Sequence, residues 1–151
     1  MKNSPIPSIY DVQLTEHFRL SEFLKSATAE KLNIPNIPSL ASADRLVILC
    51  EEVLEPLREM YGKPIYVTSG YRSEALNQAI KGARNSQHMK GEAADIKGAN
   101  REENMKLAFL IKENLDYDQL ILEKCDANGW PTWIHVSYKN YLDNRLQVLR
   151  T

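Results

Sequence analysis

Apolar residues recur at helical spacing through the first half of the chain and at strand spacing through much of the second. Over residues 42–61, Leu46, Leu49, Cys50, Val53, Leu57 and Met60 form one stripe of a helix. Pro56 interrupts that stripe, so the helix is expected to kink or end early there, and Gly62 is a sensible stop. A shorter helix is expected from Ser21, with Glu22 in its first turn, to about Lys31. Asn33-Ile-Pro-Asn-Ile-Pro38 reads as a connector. Ser73 is placed to cap a helix over residues 74–80, closed by Gly82. Asn100 followed by Glu103 gives a capping-box-like start to a helix through Asn114. Its stripe of Met105, Leu107, Ala108, Leu110 and Ile111 is expected to face a core.

Four short stretches read instead as strands: residues 65–68, 93–97, 119–123 and 132–137. The last two are joined by residues 124–131, with Asn128 and Gly129 as turn residues. Residues 1–13, with Pro5 and Pro7 opposing helix, are expected to be an extended lead-in, and residues 140–150 a helix-like tail. Helices first and a cluster of short strands later predict an α+β domain, with helices packed on a small, mainly antiparallel sheet.

Composition narrows the reading further. A chain of 151 residues with 43% hydrophobic content is enough for one domain, spanning 1–151, with a real core. Nineteen basic against twenty acidic residues give a net charge of −1. That balance argues against a nucleic-acid or anionic-membrane partner, and a monomer is expected. No apolar run is long enough for a transmembrane helix. The N-terminal Met-Lys-Asn-Ser-Pro-Ile-Pro lacks the apolar stretch of a secretory signal, so synthesis in the cytoplasm is expected. Cys50 lies on a helical stripe and Cys125 in a loop, and two distant cysteines make neither a disulfide framework nor a Cys-x-x-Cys site.

Candidate chemistry is concentrated in Ser86-Gln-His-Met-Lys-Gly-Glu-Ala-Ala-Asp95. A turn at Gly91 can bring His88 to Asp95, with small Ala93 and Ala94 leaving room. One nitrogen and one oxygen ligand suit Zn²⁺ if a third arrives from elsewhere. His135 is a third candidate. Alternation puts it with Trp133 and Ser137 on one face of its strand, against Ile134 and Val136 on the other. On the preceding strand Ile121 and Glu123 share a face, so hairpin pairing can bring Glu123 near His135. Each residue also has a plainer role, a satisfied half-buried histidine or a solvated carboxylate, and spacing alone does not decide between them.

Ser69-Gly-Tyr-Arg-Ser73, Ser86-x-His88-x-x-Gly91-x-Ala93-x-Asp95 and Trp133-x-His135 occur here in order. Together they resemble the zinc D-alanyl-D-alanine carboxypeptidase family. That family includes phage L-alanyl-D-glutamate endopeptidases and shares its fold with the Hedgehog signalling domain. Leu14-Thr-Glu-His-Phe18 and Leu20-Ser-Glu-Phe23 are similar to the phage-type branch, which extends the resemblance over residues 14–138.

The resemblance implies a Hedgehog/DD-peptidase-like fold and one zinc per chain, held by His88, Asp95 and His135. It implies that Arg72 faces the bound peptide and that Ser86 binds substrate or keeps the site in shape. The implied substrate is a peptidoglycan stem peptide, and the implied place of action is the cell wall or periplasm. Many relatives carry a catalytic glutamate three residues before the last histidine, where this chain has Thr132. Glu123 is therefore nominated as the base, with Asp126 in reserve. Trp133 and Tyr71 are expected as cleft walls or, equally, as core residues, and His17 as a packing or capping residue. The competing classes are a non-catalytic zinc-binding module and a cell-wall peptide binder.

Overall fold

A computed structural model describes residues 10–151. The expected lead-in over residues 1–13 thus lies largely outside the described residues. Its last residue, Gln13, opens strand β1 (Gln13–Thr15), which pairs antiparallel with β2 (Phe18–Arg19). The helix expected between residues 21 and 31 is two pieces. A 3-10 turn over Leu20–Phe23 is followed by α1 (Ala27–Leu32), whose N-cap is Ser26, its hydroxyl accepting from Ala29 N–H.

The long helical stripe forms α2 (Leu40–Leu49), a π-helical turn (Cys50–Leu54) and α3 (Glu55–Tyr61) in succession. Ser39 caps it, three residues before the expected start. The helix passes through Pro56 rather than ending there. In the widened turn, Glu55 N–H donates to Cys50 O, five residues back. Pro56 then enters as an early residue of α3, where its missing N–H costs least. Gly62, in the left-handed region, ends the run as expected.

Strand β3 (Tyr66–Ser69) sits one residue later than expected and is followed by α4 (Glu74–Ala79), capped by Ser73. Lys81, not Gly82, adopts the left-handed conformation after α4. Strand β4 (Ala93–Lys97) precedes α5 (Arg101–Asn114), capped by Asn100 Oδ1 at 2.9 Å from Glu103 N. The Glu103 carboxylate does not complete a capping box. It bonds the Tyr61 hydroxyl and Lys106 instead. Strands β5 (Gln119–Glu123), β6 (Trp133–Ser137) and β7 (Gln147–Arg150) complete the chain.

The five-stranded sheet has the order β3-β4-β6-β5-β7, antiparallel throughout except for the parallel pair β5–β7. One face carries Ala94, Ile96, Leu120, Leu122, Ile134 and Val136, all buried. They pack with Leu107, Ala108 and Ile111 of α5 and with Leu46, Leu49 and Leu57 of the long helix. The fold is the expected α+β arrangement of helices on a mainly antiparallel sheet. Among the described residues, no helix is long and apolar enough to cross a membrane.

The tail departs from expectation. Residues 140–144 make a single turn, Asn144 N–H donating to Asn140 O, and Leu146 then takes a positive φ that redirects the chain. Residues 147–150 run alongside β5 as an exposed strand, not a helix. An edge of unpaired backbone groups on β5 accounts for this. Pairing satisfies those groups, whereas a helix here would bury no apolar face.

Candidate metal centre

Register builds the site. Asp95 on β4 stands directly opposite His135 on β6, and Ile121 on β5 stands opposite His135 on its other side. Residues paired across a sheet project to the same face. Ala94, Ile96, Ile134 and Val136 are committed to the core, so Asp95 and His135 must project from the other side. His88 reaches them from a 3-10 turn, Gln87–Lys90, which ends at Gly91 with φ +75°. A side chain there would also meet Ser42 O at 2.2 Å, so glycine is required on two counts.

The donor atoms converge. His88 Nε2, His135 Nδ1 and Asp95 Oδ1 form a triangle with edges of 3.1, 3.2 and 3.4 Å. Tetrahedral zinc with bonds of about 2.0–2.1 Å holds its ligands about 3.3 Å apart. The triangle fits that spacing. Its two nitrogen–oxygen edges are longer than a charge-assisted hydrogen bond of about 2.8 Å. The donor chemistry, two imidazoles and a carboxylate, also fits zinc with a further position left for another ligand.

The second nitrogen of His88 is held as well. Nδ1 lies 2.7 Å from Gly70 O in a buried contact, so Nδ1 carries the proton and Nε2 presents its lone pair to the centre. Gly70 can present that carbonyl because it has no side chain. A Cβ there would lie 2.6 Å from three atoms of Phe23. Tyr71 N–H donates to Phe23 O at 2.8 Å and locks the same segment. Burial pushes the Asp95 carboxyl up, but the imidazoles of His135 and His88 beside it outweigh that and hold the group well below its ordinary range.

The trio opens into a cleft of about 530 Å³ that is also lined by Arg72, Ser86, Glu123 and Trp133. Ser86 caps the histidine-bearing turn, its hydroxyl accepting from His88 N–H at 3.3 Å. Arg72 donates from Nη1 to Asn77 Oδ1 at 3.1 Å. Asn77 is itself buried and fixed by its amide bond to Ala83 O. Burial lowers the Arg72 pKa and the Asp95 charge opposes that shift. Arg72 Nε is buried with no partner among the described residues.

Glu123 is paired with Trp133, one step along the face from the row holding Asp95, His135 and Ile121. Diagonal neighbours on a sheet are about 7–8 Å apart, within reach of a long side chain. Thr151 donates its hydroxyl to Glu123 Oε2 at 2.8 Å, which orients the carboxylate. Asp126 is spent elsewhere, accepting from the N–H groups of Asn128 and Trp130 in the β5–β6 connection. Thr132 donates to Lys124 O. Neither lines the cleft.

His17 bonds Glu55 through both its backbone N–H and Nδ1, each at 2.7 Å, and so fastens the β1–β2 turn to α3. Trp133 is a cleft wall. Tyr71 instead leans on the core and lines the depression next door. Cys50 is buried and Cys125 half-buried, both as free thiols. Two cleft features were not anticipated from the sequence. Asn77 anchors Arg72, and Arg145, in the segment before β7, reaches the same cleft. For Asn77, the only available signal was an amide five residues after Arg72 on the short capped helix.

No curated protein matches the chain. The family model described as Peptidase M15 matches residues 16–137, most of the chain and all three of the converging side chains. On that match the chain belongs to the M15 family of zinc peptidases.

Proposed function

We propose that this protein is a zinc-dependent hydrolase that cuts a peptide bond in peptidoglycan stem peptides at the cell wall. The observation that carries the reading is the His88–Asp95–His135 triangle, which has the edges of a tetrahedral zinc site and opens into a cleft. His88 Nε2, His135 Nδ1 and an Asp95 oxygen would hold the metal. Bound there, zinc supplies Lewis acidity to the scissile carbonyl and acidifies the attacking water. Glu123 takes a proton from that water as its oxygen bonds the carbonyl carbon. It returns the proton to the amine as the C–N bond breaks. Thr151, by occupying Oε2, leaves the other oxygen of Glu123 for this exchange. Arg72 grips a substrate carboxylate through the guanidinium that Asn77 holds at the cleft wall. Ser86 keeps the His88 turn in shape.

Metal analysis tests the first half: about one zinc per chain is expected, lost in His88→Ala and His135→Ala. Glu123→Ala should retain the metal and lose hydrolysis of purified peptidoglycan, and full activity in that variant removes Glu123 from the mechanism. Digestion of purified muropeptides, read by mass spectrometry, identifies the bond and separates carboxypeptidase from endopeptidase. Zinc retained by a wild-type protein that cuts no muropeptide favours a non-catalytic module.

A further inference from the structure

Arg145 lies outside the residues that match the family, yet it lines the same cleft as the three converging side chains. It is held there rigidly. Asp118, fully buried, accepts from Arg145 Nε and Nη2 at 2.8 Å each and from the Arg145 backbone N–H at 3.0 Å. Gln87, the neighbour of His88, donates to the same carboxylate at 3.0 Å. One edge of the guanidinium is thus fixed against a buried anion, while the side chain stays 47% exposed. Arg145 Nη1 has no partner among the described residues.

Lys139 Nζ lies 3.9 Å from the Asp118 carboxylate, so two cations surround one buried anion. Strand order then places the two arginines. Arg72 follows β3 at one edge of the sheet, Arg145 precedes β7 at the other, and Asp95 and His135 lie on the strands between. A guanidinium therefore stands on each side of the trio.

We infer that Arg145 is a second carboxylate-binding residue of the cleft, and that the substrate peptide carries one carboxylate on each side of the bond that is cut. The inference rests on the peptidase reading, and it narrows the substrate class. A peptide with a single carboxylate would leave one of two positioned cations unused. A stem peptide with acidic groups on both sides engages both.

The test uses full-length, zinc-loaded protein and a set of synthetic stem peptides in which each carboxylate is replaced singly by a carboxamide. In the wild type, two different amidations should each lower kcat/KM about tenfold or more, the scale of one lost charge-assisted hydrogen bond. Because Arg145→Met alone strands a buried carboxylate, the working variant is Asp118→Asn with Arg145→Met, its folding checked by circular dichroism. One of the two penalties should shrink to near unity there while the other persists. Arg145→Lys, which keeps the charge and loses the fork, should weaken the same penalty and serves if the double variant does not fold. Both penalties surviving intact in the variants overturns the proposal, as does a single penalty in the wild type. Calorimetric binding of the same peptides to zinc-free protein separates the two readings. Two penalties in binding without any hydrolysis sink the peptidase reading and keep Arg145 only as a carboxylate-binding residue, and hydrolysis with one penalty keeps the peptidase reading and overturns this inference.

Discussion

Gly70→Ala is the sharpest test of how the candidate metal centre is supported, because the residue touches no donor atom of the trio. The new Cβ would lie 2.6 Å from Phe23 Cα, Cβ and O, where ordinary contact begins at 3.4 Å. The two segments must separate by roughly 0.8 Å, and Phe23 is fully buried with nowhere to go. The displaced carbonyl is the one that lies 2.7 Å from His88 Nδ1. Adding the shift brings that contact to about 3.5 Å, beyond a useful hydrogen bond.

Two costs follow. Overpacking destabilises the fold by about 1–3 kcal/mol. The buried Nδ1–H left without its acceptor costs a further 1–3 kcal/mol, part of which appears as zinc affinity once the tautomer is no longer held. At about 1.4 kcal/mol per factor of ten, zinc binding should weaken about 5- to 100-fold. Competition titration against a chromophoric chelator measures the affinity, and thermal unfolding with and without zinc measures the rest. Gly62→Ala is the control. It has a positive φ but nothing within 4 Å, so it should lose about 1 kcal/mol of stability and no zinc affinity. A folded Gly70→Ala protein that binds zinc within twofold of wild type refutes the reasoning, as does an equal loss in Gly62→Ala.

Asn77→Ala removes the anchor of Arg72, and should raise KM for carboxylate-bearing peptides several-fold while zinc content, measured by atomic absorption, stays at the wild-type level. The Asp118 carboxyl is held below its ordinary value of 3.8, chiefly by Arg145, so its contribution to stability is complete above that value and is lost as pH falls further. The stability gap between wild type and Asp118→Asn, measured by urea unfolding, should therefore be constant at neutral pH and narrow below about pH 4. Chelation should lower the melting temperature without unfolding the sheet, since zinc at a hundred times its dissociation constant adds only about 2.7 kcal/mol. Circular dichroism of the apo protein at 25 °C checks this, and loss of the sheet signal would count against a preformed site.

What the sequence made legible, and what it did not, divides along physical lines. Strand β4, helix α5 and strand β5 fell where their patterns and caps placed them, and β6 within one residue, because period and burial agree there. Strand β7 was illegible because its four residues are all exposed and carry no period that core packing would impose. Its conformation comes from the backbone edge of β5, a partner that composition cannot reveal. The π-helical turn before Pro56 was hidden likewise, since the apolar stripe reads the same whether the chain breaks or widens. Arg145 was missed because it acts through a distant partner, Asp118, and Asn77 because an amide on a short helix gives no sign that it turns inward to hold Arg72 and Ala83. Gly70 was visible only as part of a motif, and its reason lies in Phe23, far back in the chain.

The trio itself was legible for a reason that goes beyond motif resemblance. In β4 and β6, the residues flanking Asp95 and His135 are small or aliphatic and fully buried, which leaves the acid and the imidazole no choice of face. A slip of one residue in the β4–β6 register would expose Ala94, Ile96, Ile134 or Val136 and drive a charge into the core. The register that buries the apolar set is therefore the same register that sets Asp95 opposite His135. Core packing thus places Asp95 and His135 of the candidate metal centre, and only His88, carried on a turn held by Gly70, Gly91 and Ser86, depends on local chemistry of its own. Substitutions that loosen the Gly70 contact should thus weaken zinc without disturbing the Asp95–His135 pair, whereas changes at Ile134 or Ala94 should damage stability and metal binding together.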